Sequence, residues 1–292
     1  MDAKFRPAME AIEAHDLERF RQLIIEDPSL ASSRSLTSHP TLLQYLVLSA
    51  RDSPNQLEMA KILIDHGAEL NAPLVACGSC NNVAAAELLL NSGAAIYGTG
   101  GWSPLEEALY WDRLGVVDLL VRRGAPVQNL RIAAGLGRID AIEGFFESDG
   151  RLKPQAGTIN WRWGDATVIA NSNFDAAGKQ YLTKKFSSWT NDRQSLINNA
   201  FVYAGMHGHL DAVRLLLERG AQINAIPGGF DFSGTALHYA ALNGQQSMVE
   251  FLLQRGANVH IKDEKVGSLA SGWADYGGHA ATRDYLRGLE KQ

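Results

Sequence analysis

Two short stretches carry side chains that could bind a metal ion or undergo redox chemistry. Cys77 and Cys80 form a C-x-x-C sequence, a spacing found in redox dithiols and in zinc half-sites. His207 and His209 flank a glycine, and two imidazoles this close could ligate one metal ion. A structural zinc site needs four ligands, and neither stretch has a matching second half in the sequence. We therefore expect no metal site and interpret these side chains as structural.

The sequence also lacks the signatures of the common enzyme families. It contains no P-loop, no G-x-S-x-G, no H-E-x-x-H and no protein-kinase motif. The glycines at 98, 100 and 101 precede a predicted turn, so we do not interpret them as a phosphate-binding loop. Acidic residues are numerous, but no pair of them suggests acid/base catalysis. The sequence indicates a binding protein rather than an enzyme, and it predicts no cofactor.

Composition is that of a soluble protein. The chain has 292 residues, with 46% hydrophobic and 20% charged residues, and no apolar run reaches 18 residues. We therefore expect no transmembrane helix, and Met1–Pro7 has no apolar signal core. Two cysteines cannot form a disulfide framework, which predicts a cytoplasmic protein. The net charge of -5, with Lys184-Lys185 as the only basic pair of note, argues against nucleic-acid binding, and we expect no membrane partner.

A spacing repeated along the chain predicts the elements that position these residues. Eight times, a residue that tolerates a left-handed backbone stands nine positions before the second member of an apolar pair such as Leu216-Leu217. A Gly-Ala dipeptide follows five of these pairs. The pattern predicts a short helix, a tight turn, a longer helix and a glycine stop, repeated as a solenoid. The predicted turn residues are Asp16, Asn55, Asn81, Asp112, Gly137, Gly208, Gly244 and Gly277.

The period and the local sequence identify the type of repeat. Successive pairs are 39, 26, 31, 25, 71, 36 and 33 residues apart, values that scatter around the ankyrin period of roughly 33 residues. Thr235–Gly244, followed by Leu252-Leu253 and Gly256-Ala257, resembles the ankyrin T-P-L-H-x-A-A…G…L-L…G-A pattern, with Ala236 in place of proline. The resemblance implies an all-α ankyrin solenoid of helix-turn-helix units with short β-hairpin fingers.

The 71-residue step predicts an aromatic-rich insert between the fifth and sixth of about eight repeats. Its aromatic content argues against a disordered linker. We expect a short strand or hairpin arm near Thr158–Trp163 and a helix near Lys179–Trp189, and the alternative is a degenerate ankyrin unit within this range. The whole chain, 1–292, is predicted to form one solenoid. Its parts are an N-terminal cap (5–36), repeats 2–5 (37–153), the insert (154–193), repeats 6–7 (194–262) and a C-terminal cap (263–292).

The resemblance also implies which residues face the concave surface. In ankyrin units these are the residue after the histidine of the motif and the residues just before the turn. The first group contains Tyr45, Glu107, Tyr203, Tyr239 and either Trp273 or Gly272, and the second contains Tyr110, Trp111, Met206, His207, Leu242, Asn243 and Tyr276. Because tyrosine and tryptophan are common in binding hot spots, this aromatic row predicts a groove for a partner. The alternative is that each ring packs between neighbouring inner helices.

Other aromatic residues could extend this groove. Phe230 and Phe232 lie in the loop that leads into the seventh repeat, where they could hold the insert or contact a partner, and we favour the first interpretation. The insert adds Trp161, Trp163 and Trp189. The histidine of the motif, His238, is expected to bond Thr235 and a neighbouring finger. Cys77 is expected in a small buried slot before the turn at Asn81.

Three hypotheses follow for function. We favour a monomeric scaffold that binds a protein partner in the concave aromatic groove. The alternative is a small-molecule-binding protein or enzyme with a pocket between the insert and the inner helices, using Glu107, His207, Asp231 and Asn243 as polar contacts. A third is a segment of a larger assembly in which the insert makes an oligomer contact. The identity of the partner is beyond the sequence.

Overall fold

A computed structural model describes residues 3–35, 41–50, 53–98, 102–159, 175–231 and 233–292. Within these ranges the secondary structure is helical, and no β-strand is present. One isolated antiparallel bridge joins Phe146 and Leu152. The all-α prediction is therefore confirmed, whereas the connections expected to be β-hairpin fingers are turns and irregular loops in the described part of the chain.

The described helices are short and follow one another closely. In chain order they are α1 (Arg6–Glu13), α2 (Leu17–Glu26), α3 (Ser29–Ser32), α4 (Leu42–Ser49), α5 (Gln56–Asp65), α6 (Asn71–Cys80), α7 (Val83–Asn91), α8 (Pro104–Tyr110), α9 (Leu114–Arg122), α10 (Leu130–Gly135), α11 (Ile139–Gly144), α12 (Ala176–Ser187), α13 (Arg193–Met206), α14 (Leu210–Glu218), α15 (Ala236–Leu242), α16 (Gln246–Gln254), α17 (Ala270–Tyr276) and α18 (Ala280–Leu289), with 3-10 turns at Ala3–Phe5 and Pro154–Ala156.

The described residues form two compact units. Unit 1 comprises those within Met1–Pro126 and Arg162–Thr183, and unit 2 comprises those within Val127–Trp161 and Lys184–Gln292. In unit 1 the first helices of four pairs pack in the order α1, α4, α6, α8, and the second helices pack as α2, α5, α7, α9. In unit 2 the first helices pack in the order α10, α13, α15, α17. We call these first helices the inner helices. Each unit is thus a stack of helix pairs, as expected for a solenoid. In unit 1 the buried apolar side chains from Phe5 to Leu119 form one core cluster.

Capping residues of the repeated motif start the inner helices. Ser103 Oγ accepts a hydrogen bond from the Glu106 N–H at 3.1 Å, and the Glu106 carboxylate accepts one from the Ser103 N–H at 2.9 Å. In α15 the same reciprocal arrangement uses Thr235 and His238, with the Thr235 N–H donating to His238 Nδ1 at 3.2 Å. Reciprocal bonds of this kind satisfy amide groups that the first turn of a helix leaves without partners.

The left-handed turns confirm five of the eight predicted positions. Their φ angles run from +54° to +74°. The same conformation is found at these positions because Gly, Asn and Asp tolerate it with little strain. The five confirmed turn residues are Asn81, Asp112, Gly137, Gly208 and Gly244.

The other three predicted turn positions are wrong. In the first pair the left-handed residue is His15 rather than Asp16, which instead caps α2 by accepting a hydrogen bond from the Arg19 N–H. In the last helix pair the left-handed residue is Gly278 rather than Gly277. The buried residue Leu286 stands eight positions after Gly278, the distance at which the buried first member of the apolar pair follows the turn in other repeats. The third error concerns Asn55, which has a φ of −97° at the start of α5, and whose side-chain amide donates to the His15 carbonyl.

Side chains of the following repeat cover the turn glycines of unit 2. A methyl group added at Gly137 would lie 2.7 Å from His209 Nδ1, and one added at Gly208 would lie 2.6 Å from Gln245 Oε1. The ring of His279 covers Gly244 in the same way. These turns therefore need glycine for two reasons, the positive φ angle and the close approach of the next repeat.

The predicted insert contains one described helix. The helix expected near Lys179–Trp189 is α12, which begins three residues earlier and ends at Ser187. Thr158 and Ile159 are not in a strand, and residues 160–163 of the predicted strand lie outside the described ranges.

Candidate partner-binding surfaces

Glu107 lies at the centre of a polar cluster in unit 1. It belongs to the inner helix α8 and is 3% exposed. Its Oε1 atom accepts hydrogen bonds from Ser79 Oγ at 2.5 Å and from Trp111 Nε1 at 2.9 Å, and its Oε2 atom accepts one from Trp102 Nε1 at 2.7 Å. Because hydrogen bonds to a buried charged acceptor are strong and directional, this carboxylate fixes the orientation of both indoles.

The aromatic rings around Glu107 contact one another edge to face. The ring centroids of Trp102 and Tyr110 are 6.1 Å apart, and those of Tyr110 and Trp111 are 5.2 Å apart. Tyr110 is buried, whereas Trp111 is half-buried. Sequence reasoning selected Glu107, Tyr110 and Trp111 but missed Trp102 and Ser79. A signal for Trp102 was present, since it directly precedes the Ser-Pro-Leu start of the repeat.

Tyr45 occupies the same motif position in α4, two helix pairs earlier in unit 1. It is half-buried, and its hydroxyl group donates a hydrogen bond to the Glu13 carboxylate. Burial, together with the hydrogen bond and negative charge of Glu13, raises the pKa of Tyr45 above its ordinary value. Tyr45 therefore stays protonated at neutral pH and is held by α1.

Four aromatic rings form a continuous row in unit 2. The Phe230 ring lies between the rings of Tyr203 and Tyr239, with centroid distances of 5.1 and 4.8 Å. The Trp273 ring follows, 4.9 Å from that of Tyr239 and nearly perpendicular to it. The four residues are between 1% and 7% exposed. We call this set the aromatic row. Trp273, rather than Gly272, occupies the motif position of Tyr239 in the last repeat.

Asp263 fixes the end of the aromatic row. The Trp273 indole N–H donates to its Oδ2 atom at 3.0 Å, and backbone N–H groups of Lys265, Val266 and Ser268 donate to the same carboxylate at 2.8 Å each. Burial opposes the ionisation of Asp263, but these hydrogen bonds outweigh it and hold the pKa below its usual range. Sequence reasoning missed Asp263 because it lies outside the repeat motif, six residues before Leu269.

His238 makes the contacts predicted for the histidine of the motif. Its Nδ1 atom is 2.9 Å from Thr235 Oγ1, and its Nε2 atom is 3.3 Å from the carbonyl oxygen of Ser268 in the loop before α17. Burial lowers the pKa of His238 below its ordinary value. The ring thus stays neutral and links one repeat to the next.

The His207 and His209 rings lie 6.2 Å apart, centroid to centroid. His209 Nε2 is 3.0 Å from the Gly135 carbonyl oxygen, and burial lowers the pKa of this imidazole. Across the described ranges, no three His, Cys, Asp or Glu side chains are grouped so that they could hold a metal ion.

Both cysteines of the C-x-x-C sequence lie on α6, and neither forms a disulfide bond. Cys77 is fully buried, and this burial raises the pKa of its thiol well above the ordinary value. Cys80 is half-buried and donates to the Ala76 carbonyl oxygen at 3.4 Å. A buried thiol with a raised pKa is a poor nucleophile, which agrees with a structural interpretation of Cys77.

Trp189 lies just after α12 and contacts the loop before α15. Its ring centroid is 4.6 Å from that of Phe186, edge to face, and its indole covers Gly228. This contact agrees with the expectation that the loop carrying Phe230 holds part of the predicted insert. The other predicted aromatic contacts lie outside the described residues: Trp161, Trp163 and Phe232.

The residues just before the turns differ widely in exposure. Met206 is 2% exposed, whereas His207, Leu242 and Asn243 are half-buried. Tyr276, at the end of the inner helix α17, is 88% exposed. We call His207, Leu242, Asn243 and Tyr276 the pre-turn surface of unit 2.

Comparison with protein families supports the repeat assignment. A family model described as ankyrin repeats (3 copies) matches residues 168–263. This match begins inside the range predicted for the insert and ends one residue after the seventh predicted repeat. No curated protein matches the chain. None of the helices described here is both long and apolar enough to span a membrane. The repeated helix pairs and the family match agree, and the chain contains ankyrin repeats within residues 168–263.

Proposed function

We propose that this chain binds a protein partner through the pre-turn surface of unit 2. Ankyrin repeats generally mediate protein–protein interactions. The surface combines an exposed aromatic ring with an imidazole, an aliphatic side chain and an amide. Because repeats of this type are rigid, little conformational entropy is lost when a partner binds.

The exposure of Tyr276 is the observation that supports this proposal most directly. Its motif position in the preceding repeats is held by Met206, which is buried, and by Leu242, which is half-buried. An 88% exposed tyrosine on an inner helix makes little contribution to packing. Tyrosine is enriched in binding hot spots because it offers a large contact area at a low entropic cost.

The amide of Asn243 gives this surface a fixed polar element. Asn243 Nδ2 donates to the Met206 carbonyl oxygen at 3.1 Å, which orients the side chain between two successive inner helices. Its Oδ1 atom is an acceptor that a partner's N–H group could use. In unit 1, the half-buried Trp111 and Tyr45 are a separate candidate for partner binding, with Glu107 and Tyr110 holding Trp111 in place.

Site-specific photo-crosslinking in the native host tests the proposal. A benzophenone amino acid is placed at position 276 and, as a matched control, at position 285, where Tyr285 is 40% exposed on α18, the second helix of the last pair. We expect one defined crosslinked protein from position 276 and none from position 285. Tyr276→Ala should then weaken the isolated complex by about 2 kcal/mol, as expected of a hot spot, while Tyr285→Ala leaves the affinity unchanged.

Equal crosslinking from both positions would contradict the assignment of the surface. If position 276 yields no crosslink and the protein instead shows saturable binding of a metabolite, the small-molecule alternative becomes the better proposal.

A further inference from the structure

The sequence contains one asparagine–glycine pair, and this pair forms the turn between α15 and α16. Asn243 belongs to the pre-turn surface, and Gly244 is the left-handed turn residue, with a φ angle of +65°. An asparagine that precedes glycine deamidates more readily than other asparagines, because glycine has no side chain to hinder attack by its own backbone nitrogen. This pair is therefore a place where the surface can change chemically without an enzyme.

The reaction replaces the amide nitrogen of Asn243 by an oxygen atom. The Gly244 nitrogen loses its proton and attacks Cγ of Asn243. A bond forms between these two atoms, and the bond from Cγ to Nδ2 breaks with release of ammonia. Water then opens the succinimide ring. Addition of water at Cγ gives an aspartate, whereas addition at the backbone carbonyl carbon gives an isoaspartate, in which the main chain runs through the side chain.

The folded turn keeps both nitrogen atoms from this reaction. Asn243 Nδ2 donates to the Met206 carbonyl oxygen at 3.1 Å, and the Gly244 N–H donates to the Ala241 carbonyl oxygen at 3.2 Å. Ring closure also requires Cβ of Asn243 to eclipse the Gly244 nitrogen about the Cα–C bond. The ψ angle of Asn243 is 7°, so its own backbone nitrogen occupies the eclipsed position instead. The reaction therefore needs the turn to open.

Deamidation would remove the fixed polar element of the pre-turn surface. The Met206 carbonyl group lies in the last turn of α13, where the helix supplies no N–H group, and Asn243 is its described donor. A carboxylate at position 243 cannot donate and is repelled by that carbonyl oxygen, so the side chain turns away. An isoaspartate also lengthens the backbone beside Gly244, where the ring of His279 leaves no space for even a methyl group.

We propose that Asn243-Gly244 is a latent deamidation site that limits the lifetime of the pre-turn surface. Opening of the turn allows the reaction, and each reaction converts the surface irreversibly to a form that no longer binds its partner. The loss of binding rests on the proposed function, whereas the chemical modification does not depend on a partner. A bound partner slows the reaction, because it stabilises the closed turn.

Peptide mass spectrometry tests the modification without a partner. The folded protein and the guanidinium-unfolded chain are incubated side by side at mildly alkaline pH. We expect position 243 to gain the mass that accompanies exchange of NH₂ for OH in both samples, about tenfold more slowly in the folded protein. Asn224 is the internal reference, since it is exposed and followed by alanine, and it should stay unmodified.

Two results would overturn the latent site. One is equal rates at position 243 in the two samples, which would show that the turn gives no protection. The other is an unmodified position 243 in the folded protein after about thirty half-lives of the reaction in the unfolded chain, because the turn would then protect the pair completely.

Crosslinking from position 276 tests the consequence for binding. Asn243→Asp carries the aspartate product from the start. Asn258→Asp is the matched control, since the Oδ1 atom of Asn258 accepts from the His260 N–H at 2.9 Å and a carboxylate can replace it. We expect the yield to fall about fivefold in Asn243→Asp and to stay unchanged in Asn258→Asp. If Asn243→Asp does not fold, aged protein is crosslinked in the host lysate, and the product should be depleted in modified position 243.

These outcomes separate the two proposals. Deamidation with unchanged crosslinking in Asn243→Asp, or with a crosslinked product not depleted in modified protein, overturns the limit on lifetime and leaves the proposed function intact. Equal losses in Asn243→Asp and Asn258→Asp would indicate an effect of charge alone and would overturn it as well. Deamidation with no crosslinked protein in the wild type would overturn the proposed function and the loss of binding that rests on it, whereas the modification site would stand.

Discussion

Two regions of the molecule fill the same position of the repeat with opposite chemistry. The residue after the motif's histidine position is Glu107 in α8 of unit 1, where α4 has Tyr45 instead. In unit 2 it is Tyr203, Tyr239 and Trp273 in three successive inner helices. Glu107 collects three hydrogen bonds from surrounding donors, whereas the tyrosines contact other rings through Phe230. The helical framework is the same, so the neighbours of this position decide whether a polar or an apolar side chain can be buried there.

This difference predicts how each site responds to substitution. A buried polar network depends on every partner, because the loss of one group leaves others without hydrogen bonds. A row of rings depends on filled volume, because a missing ring leaves a cavity. The predictions below test the two kinds of dependence.

The largest effect is expected at the aromatic row. Tyr203→Ala removes a fully buried ring that packs against Phe230 and should lower the free energy of unfolding by about 3–5 kcal/mol. Urea denaturation followed by circular dichroism measures this loss. Tyr203→Phe is the matched control, because it keeps the ring, and should cost about 1 kcal/mol. Similar losses in the two variants would show that the hydroxyl group, rather than the ring volume, carries the stabilisation.

A smaller effect is expected at the polar cluster. Glu107→Gln keeps the shape of the side chain but places an amide N–H₂ group opposite the donors of Ser79, Trp102 or Trp111. We expect a loss of about 2 kcal/mol in the free energy of unfolding. Glu87→Gln is the control in the same unit, since Glu87 is exposed and lies 3.9 Å from Arg123, a surface pair worth at most about 0.5 kcal/mol. Equal losses for both variants would contradict the network.

The smallest effect is expected from acid. Burial lowers the pKa of His209 and His238 in the folded protein below the ordinary value of 6.5. Their neutral forms therefore stabilise unit 2 fully above pH 6.5, and this contribution is lost as the pH falls through the lowered values. His209→Gln cannot titrate but can still donate to the Gly135 carbonyl group. Urea midpoints between pH 7.5 and 5.5 should therefore change less in this variant than in the wild-type protein, and identical profiles would contradict the assignment.

Local features of the sequence were sufficient to predict the framework. Asn81, Asp112 and three glycines marked left-handed turns, because few other residue types accept this conformation. The last turn was misplaced by one residue because Tyr285-Leu286 resembles the apolar pair of other repeats, although Leu286 is structurally its first member. The hydrogen bonds of His238 to Thr235 and to the loop of the next repeat were predicted correctly, since both follow from the motif itself.

The candidate sites could be predicted only in part. Glu107 and the tyrosines were found because they occupy a defined motif position. Asp263 and Trp102 were missed, because loops of variable length bring them to the site. The place of Phe230 between two tyrosines depends on how closely a glycine-rich loop approaches the helices, which no local pattern specifies.

The covered turn glycines of unit 2 have a consequence for inheritance. Because His209 rests on Gly137, Gln245 on Gly208 and His279 on Gly244, each turn is completed by a residue that lies 72, 37 or 35 positions further along the chain. The segment that can be duplicated, deleted or exchanged without disturbing a turn is therefore longer than the repeat as its motif defines it. It extends one residue past the next turn. A recombination that breaks the chain before that residue leaves a turn glycine covered by a side chain from a different repeat, which did not evolve together with it.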